Sequence, residues 1–403
     1  MDTSVKDKLF TRSYIFMCLA NFLTAFSFFL LVPTLPFYLA DSFGIASDVV
    51  GLVLSCYVIA VLLIRPFAGF VADMFQRKKV YVISYIFFTV SFAGYLFIGE
   101  SLYLFVLLRI LHGFAFGALN TTGNTLVIDI MPSSRRGEGL GYFGVTNNLA
   151  MAFGPMVGLF VISRFDYMLL FIIALLAAAA GLLFSFLVKV RKRQQVERKG
   201  SMLSVDRFFL VEGIPASLAF FMLAIPYGMT SSYIAIYAEE SGVVSAASLF
   251  FPVQAAGLIV SRLLSGKQVD KGYITQTISK GITIAIAGVA GEALLSVMAS
   301  WNGVAAYAVY YLSAFLVGYG FGTIFPAFNT LFINMAPNSR RATANATYLT
   351  GWDVGIGSGM LLGGALSLNG YSASFFFGAI LVLAAMVYFR SYVVKHFERH
   401  RLR

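Results

Sequence analysis

The sequence predicts an all-α integral membrane protein with twelve transmembrane helices, arranged as two six-helix bundles that repeat one plan. Three observations support this fold class. Hydrophobic residues make up 59% of the 403 residues and charged residues only 12%, whereas soluble proteins carry about 25% charged residues. The apolar residues fall into runs long enough to cross a bilayer. A pattern from the first half of the chain returns in the second half.

The spans follow from the length of the apolar runs, because a helix needs about 20 apolar residues to cross a bilayer. The first six predicted spans are 13–39, 48–72, 79–98, 101–130, 139–163 and 167–189. The second six are 208–237, 245–268, 276–300, 303–334, 342–367 and 372–394. Most connections are short, so sequential helices are predicted to be antiparallel neighbours.

The charged residues predict the orientation. Lys and Arg gather in every second connection, starting with the N-terminal segment. The connections between them hold Asp41, Asp48, Glu100, Asp166, Glu239 and Glu240, with Arg164 as their one basic residue. Short loops rich in Lys and Arg stay cytoplasmic. We therefore expect a multi-pass protein of the cell (inner) membrane with both termini cytoplasmic. This distribution explains the net charge of +11 without a nucleic-acid partner.

The domain organisation follows from one long polar break. Residues 190–206 predict a basic cytoplasmic linker between an N-terminal bundle, 1–189, and a C-terminal bundle, 207–403. GALNTTGNTLVIDIMPSSRRGEG at 117–139 aligns with GTIFPAFNTLFINMAPNSRRATA at 322–344. The two copies share one membrane orientation because six spans separate them. Parallel repeats of this kind build transporters whose substrate site lies at the repeat interface near the bilayer midplane.

Three local motifs stand out in the first half: GFVADMFQRKK at 69–79, LLRILHGFAFGA at 107–118 and AMAFGPMVG at 150–158. In these motifs, and over nearly its whole length, the chain resembles the major facilitator superfamily, in particular its twelve-helix drug/proton antiporter branch. The third motif, with Gly154, Pro155 and Gly158, resembles one associated with proton antiporters, and we expect it to break the fifth span. The first motif has Gln76 where the family usually has a second glycine, a departure expected to weaken that turn.

The resemblance implies a gate at the cytoplasmic side. Arg65, Gly69 and Asp73 are matched in the second half by Arg262, Gly266 and Asp270. Asp73 would counter the positive N-terminal end of the eleventh span. The predicted gating residues are Gly69, Asp73, Arg77, Arg65, Asp129, Arg262, Gly266, Asp270, Arg340 and Arg341. Asp129 and Glu212 lie near the same face, and each is expected to form an ion pair with a basic residue.

The fourth span carries a polar stripe. Arg109, His112, Phe116, Asn120 and Asn124 recur at helical spacing within about a third of the helix circumference. Polar residues in a membrane helix face the protein interior or a water-filled cavity, and in the resembling family this span lines the central cavity. The predicted cavity residues are Asn21, Thr24, Phe28, Arg109, His112, Phe116, Asn120, Asn124, Tyr227 and Trp352.

The second half does not repeat the stripe, since Ala314 and Val317 replace Arg109 and His112. We therefore expect a cavity that is polar on its N-terminal side and apolar on its C-terminal side, which suits an amphipathic substrate. Arg109 would bind an anionic group, tune a nearby acid, or pair with backbone carbonyls. His112 would carry a proton or serve in packing.

Asp353 is the leading candidate for proton coupling, together with Arg109 and His112. It lies about 16 Å into the eleventh span, where an acid can load and release a proton. The alternative is a carboxylate held by a neighbouring arginine or hydroxyl. Glu292, in the ninth span, is the other deep acid. That span is peripheral in the resembling fold, so we expect Glu292 to have a structural or interfacial role, with proton coupling at Glu292 in place of Asp353 as the alternative.

These features predict a monomeric, proton-coupled exporter of amphipathic small molecules that works by alternating access. The alternatives are a proton symporter importing a sugar or an organic anion, and a passive facilitator. The three histidines and scattered acids do not form an enzyme active site. Cys18 and Cys56, the only cysteines, make neither a disulfide framework nor a metal site. The expected partners are a small-molecule substrate, protons and the lipid bilayer, with no cofactor.

Overall fold

The computed structural model describes the chain in six stretches, and the part it describes contains helices and no strand. These stretches are 8–99, 101–132, 135–190, 210–243, 249–337 and 341–402.

The described part of the first half contains seven helices. They are α1 (Arg12–Leu31), α2 (Leu35–Phe43), α3 (Ser47–Met74), α4 (Arg77–Tyr95), α5 (Leu102–Ile130), α6 (Arg136–Arg164) and α7 (Tyr167–Leu187). All except α2 have at least 19 residues. These six long helices correspond in order to the six spans predicted for this half.

The second half begins, in its described part, with a 3-10 turn, Val211–Gly213. Its helices are α8 (Ile214–Glu240), α9 (Phe250–Asp270), α10 (Ile274–Ala293), α11 (Leu295–Trp301), α12 (Gly303–Met335), α13 (Arg341–Leu366), α14 (Tyr371–Tyr388) and α15 (Val394–His400). Six of these have 18 or more residues. By length and composition, eight helices of the described residues are able to cross a membrane, or nine if α10 and α11 form one bent span.

The first predicted span, 13–39, is not one helix. α1 ends at Leu31, and α2 begins at Leu35 after a turn. Proline has no N–H and its ring clashes with the preceding turn of a helix, so Pro33 disfavours continuation of α1. Pro36 lies in the first turn of α2, where a proline is well tolerated.

Two other predicted spans also differ from the structure. The ninth, 276–300, is divided at Leu294 into α10 and α11, whose axes differ by 50°. The fifth contains Pro155, yet α6 runs through it without a break from Arg136 to Arg164. The expected interruption at Gly154 and Pro155 is therefore wrong. A proline is tolerated within a membrane helix where neighbouring groups or local adjustments satisfy the backbone carbonyl that it leaves free.

By their internal contacts the residues form two compact units. Unit 1 comprises Met1–Leu31 and Ile59–Lys199, and unit 2 comprises Val32–Val58 and Gly200–Arg403. Unit 2 therefore includes α2 and the first part of α3. The predicted division into 1–189 and 207–403 remains a prediction, and residues 191–206 of its linker lie outside the described residues.

In unit 1, α1 packs against α6 and α7, while α4 packs against α5 and α7. Gly154 permits the close approach of α6 to α1, because a Cβ there would lie 2.9 Å from the Cβ of Phe29.

In unit 2, α12 packs against α9 and α10, and α8 packs against α13 and α14. Gly318 of α12 lies directly against the backbone of Gln254 in α9. The two helices touch there with no side chain between them.

Candidate functional site

The predicted gating motif is described only in part. Arg77, the first residue of α4, binds Asp129 near the end of α5 through two contacts of 3.0 and 2.8 Å from its Nη1. Both side chains are about one-fifth exposed. This confirms that Asp129 has an ion-pair partner, and it ties α4 to α5 within unit 1. Gln76 has φ of −64°, a value open to any residue, so its replacement of a glycine does not strain the turn.

The other gating residues add little to this picture. Gly69, Asp73, Gly266, Asp270 and Arg341 lie in helices, but their surroundings are outside what the structure describes, as is all of Arg340. Arg65 and Arg262 are partly buried in α3 and α9. The gate therefore remains a prediction.

Replacing Asp129 with asparagine is expected to lower the stability of the protein. The change keeps the shape of the side chain but removes a charge-assisted bond, which contributes about 1–3 kcal/mol. Thermal unfolding of the purified protein in detergent measures the loss. Glu398→Gln is the control, because Glu398 is exposed and should unfold at the wild-type temperature. An unchanged unfolding temperature for Asp129→Asn would show that the pair contributes nothing.

Arg109 and His112 lie inside unit 1 and are joined through Tyr95 of α4. Arg109 is 4% exposed and His112 is 0% exposed. The Tyr95 hydroxyl lies 3.1 Å from His112 Nδ1 and also forms a hydrogen bond with Arg109. Since arginine can only donate, Tyr95 accepts from Arg109 and its own hydrogen is available for Nδ1. This arrangement suits the neutral imidazole.

Aromatic rings surround the imidazole of His112. Its centroid lies 4.9 Å from that of Phe88, 4.6 Å from Phe92 and 5.7 Å from Tyr95. The ring is therefore both hydrogen-bonded and closely packed. Arg109 and His112 form one connected polar group within a largely aromatic interior.

The remaining predicted cavity residues of unit 1 pair with one another or with near neighbours. Phe28 stacks on Phe116 with ring centroids 4.9 Å apart. Asn124 donates to Asn120 at 3.0 Å, on a more exposed part of α5. The hydroxyl of Thr24 donates a hydrogen bond to the hydroxyl of Tyr85 at 2.7 Å.

Asn21 bridges α1 to α6. Its side-chain nitrogen donates to the hydroxyl of Thr146 at 2.8 Å. The stripe predicted on the fourth span thus runs along α5 from a buried end at Arg109 to an exposed end at Asn124.

The candidate residues of unit 2 lie in an aromatic cluster centred on Trp352. The rings closest to the Trp352 indole are Phe325 at 4.2 Å, Tyr227 at 4.9 Å and Phe220 at 5.2 Å between centroids. We call this group, with Phe321, Phe328 and Tyr348, the aromatic cluster. It brings together residues of α8, α12 and α13, and Trp352 and Phe325 remain partly exposed.

Asp353 follows Trp352 in α13 and is partly buried. It lies close enough to Tyr348 for the two side chains to interact electrostatically, and Arg262 of α9 also interacts with Tyr348. The structure therefore places an acid and a base beside the aromatic cluster. Within the described residues, no three His, Cys, Asp or Glu side chains come together as metal ligands would.

Sequence reasoning missed most of the aromatic cluster, although a signal for it exists. Phe321, Phe325 and Phe328 of α12 recur at i, i+4 and i+7, the spacing of one helix face. Tyr348 and Trp352 of α13 are also four residues apart. Such a stripe predicts a shared face, but it does not say which face of another helix it meets.

Comparison with known proteins gives consistent matches. A family model described as Major Facilitator Superfamily matches residues 17–291 and 272–402. The chain is 25% identical over 338 residues to the multi-drug resistance efflux pump PmrA of Streptococcus pneumoniae, covering 79% of this chain and 80% of PmrA. It is 30% identical over 133 residues to the quinolone resistance protein NorA of Staphylococcus aureus, covering 33% of this chain and 34% of NorA.

Solved structures show the same fold. A mutant of the nucleoside transporter NupG superposes with a TM-score of 0.78 at 16% identity, covering 94% of this chain and 99% of that one. The human organic anion transporter MFSD10 superposes with a TM-score of 0.69 at 17% identity, with the same coverage. At these identities the likeness concerns the fold.

Proposed function

The chain belongs to the Major Facilitator Superfamily of membrane transporters, and we propose that it is a proton-coupled exporter of amphipathic small molecules working by alternating access. Its fold is the twelve-helix fold of that family, and it is a transporter rather than an enzyme. The chain is similar to the efflux pump PmrA over most of its length. This similarity supports export.

The substrate class is inferred from the aromatic cluster. Its rings offer a large apolar surface at Trp352 and Phe325, with Asp353 and Arg262 nearby. An amphipathic molecule can place an aromatic or aliphatic body against such rings and a polar or cationic group near the acid.

Flux in proteoliposomes tests the proposal. The purified protein is reconstituted, a pH gradient is imposed, and a panel of labelled amphipathic dyes, sugars and organic acids is followed. An exporter coupled to protons accumulates a dye on the side that the protons leave. Accumulation on the side that the protons enter would contradict antiport, and gradient-independent equilibration would identify a passive facilitator.

Arg109 gives some support to the second candidate, a proton symporter importing an organic anion. An arginine binds carboxylates well. In this structure, however, the guanidinium is almost fully buried and bonded to Tyr95, so the anion would have to displace that contact. The same flux experiment separates the two functions.

The setting that we propose is a monomer in the cell (inner) membrane with both termini cytoplasmic. The supporting observation is the gathering of Lys and Arg in alternate connections. The protein itself is a multi-pass membrane protein that acts on small molecules.

Asp353→Asn is expected to abolish accumulation driven by a pH gradient while leaving downhill dye exchange. Asparagine keeps the size and polarity of the side chain but can neither bind nor release a proton. The measurement is dye accumulation in the proteoliposomes described above. Asp166→Asn is the matched control, since Asp166 caps α7 through the Leu169 N–H in a connection between spans. Full gradient-driven accumulation by Asp353→Asn would exclude this acid as the coupling site.

A further inference from the structure

Glu292 is a buried carboxyl that the coupling role proposed for Asp353 leaves unused. It lies one residue before the end of α10 and is only 1% exposed. Its Oε2 lies 2.7 Å from the hydroxyl of Thr230 in α8. Its Oε1 has no hydrogen-bond partner among the described residues, and within the same residues no Lys or Arg pairs with it. An ionised carboxylate without a partner is costly in an apolar interior.

The hydroxyl of Thr230 contacts two acceptors. Besides Glu292, it lies 3.0 Å from the carbonyl oxygen of Pro226, one turn earlier in α8. A hydroxyl carries one hydrogen, so it cannot donate to both at once. Both contacts are satisfied together when Glu292 is protonated, donates to Thr230, and Thr230 donates to Pro226. After the proton leaves, the Thr230 hydrogen turns to the carboxylate.

The other groups that face Glu292 are tyrosines. Tyr310 of α12 and Tyr227 of α8 both interact electrostatically with it. The hydroxyl of Tyr310 is buried and has no hydrogen-bond partner in the described part of the chain. α14 and α11, which also pack near α10, contribute no acid or base apart from the terminal tyrosines of α14. Among the charged side chains of α9, the structure describes that of Arg262, which interacts electrostatically with Tyr227.

The break between α10 and α11 opens beside this carboxyl. Tyr237, two turns or about 10 Å beyond Thr230 on the same face of α8, reaches the break. Its hydroxyl accepts from the N–H of Ser296 at 3.2 Å and donates to the carbonyl of Ala293 at 3.4 Å.

Tyr237 is also part of the wall of a cavity at this end of unit 2. The cavity measures about 380 Å³, and its polar lining consists of Tyr237, Glu240, Ser241, Ser296, Ser300 and Ser372. One water occupies about 30 Å³ in the liquid, so the cavity has room for several. In the orientation predicted from the basic connections, this end of α8 and α10 faces the outside.

We infer that Glu292 is a second proton-binding site, which exchanges its proton with the outer side through the cavity and the Tyr237 hydroxyl at the helix break. Thr230 accepts from the protonated acid and donates to the ionised one, and Tyr310 is the further donor available to the carboxylate. The role of this site in transport rests on the proposed proton-driven export. Proton binding at Glu292 does not.

Proton binding is tested first on the wild-type protein without any transport measurement. Dicyclohexylcarbodiimide is an apolar reagent that modifies protonated carboxyls, and mass spectrometry of the digested protein locates the adduct. We expect a Glu292 adduct at acidic pH that disappears as the pH rises. The absence of an adduct on Glu292 at every pH, with Asp353 or another acid labelled in the same sample, would overturn the inference.

The transport role is tested with Glu292→Gln and Glu292→Asp in the pH-gradient flux assay. We expect loss of gradient-driven accumulation in the glutamine variant, retained downhill exchange, and partial rescue by aspartate. Wild-type accumulation in Glu292→Gln would overturn the role of the site in coupling. If the glutamine variant does not fold, the labelling result on the wild-type protein still decides whether Glu292 binds a proton.

The route is tested with Tyr237→Phe, which removes the hydroxyl and keeps the ring stacked on Phe375. Tyr233→Phe is the matched control, because its hydroxyl donates to Met360 of α13 at 2.7 Å, away from the helix break. We expect slower gradient-driven flux in Tyr237→Phe alone. Equal rates in the two variants would overturn the route. A wild-type protein that shows no gradient-driven flux, yet carries the Glu292 adduct, would refute the proposed function and not the proton site.

Discussion

Replacing Trp352 with alanine is expected to remove most of the transport of amphipathic dyes. Trp352 holds the centre of the aromatic cluster, with Phe325, Tyr227 and Phe220 within 5.2 Å of its indole centroid. Truncation of a central aromatic residue in a binding site costs about 2 kcal/mol or more, so we expect apparent affinity to fall by about tenfold to a hundredfold. Dye uptake as a function of concentration in proteoliposomes gives this change directly.

Two control variants make the result specific. Trp301→Ala removes the other tryptophan of the chain, which lies at the end of α11 and is 78% exposed, and it should transport as the wild type does. Trp352→Phe keeps an aromatic ring and should recover part of the activity. If Trp352→Ala and Trp301→Ala transport equally well, the aromatic cluster does not bind the substrate.

Gly318→Ala is expected to destabilise the protein strongly. The new Cβ would fall on the carbonyl oxygen of Gln254, which is backbone and cannot rotate away. α9 and α12 would have to separate, and overpacking of this kind costs about 1–3 kcal/mol or more. A lower unfolding temperature in detergent and a lower yield of folded protein are the measurements.

Gly144→Ala is the matched control for that prediction. Gly144 is also within a helix, α6, but a Cβ there meets nothing within 4 Å. Alanine is favoured over glycine in a helix by about 0.5–1 kcal/mol, so this variant should be as stable as the wild type or slightly more so. Gly318→Ala unfolding at the temperature of Gly144→Ala would mean that the two helices separate without cost.

The number and order of the long helices could be predicted from the sequence, because length and apolarity alone decide whether a segment crosses a bilayer. The breaks could not. Pro33 lies in the turn between two helices, whereas Pro155 lies inside a continuous one, so the presence of a proline does not by itself predict a break. No proline lies at the bend at Leu294, so the sequence does not predict this bend.

The candidate site was predictable only to the level of helix faces. The polar stripe from Arg109 to Asn124 was visible as a repeat along one helix. The contact between Glu292 and Thr230 was not, because it joins residues 62 positions apart and depends on how two helices are rotated about their axes. The partner of Arg77, Asp129, likewise lies 52 positions away.

The two tryptophans also give the protein two optical reporters in different surroundings. Trp301 is largely exposed on the protein surface, whereas Trp352 is surrounded by other aromatic rings. The tryptophan fluorescence of Trp301→Phe would therefore come from Trp352 alone. A dye that absorbs in the tryptophan emission band and binds at the aromatic cluster would quench that emission by energy transfer, so ligand binding could be followed without a label and without a membrane gradient.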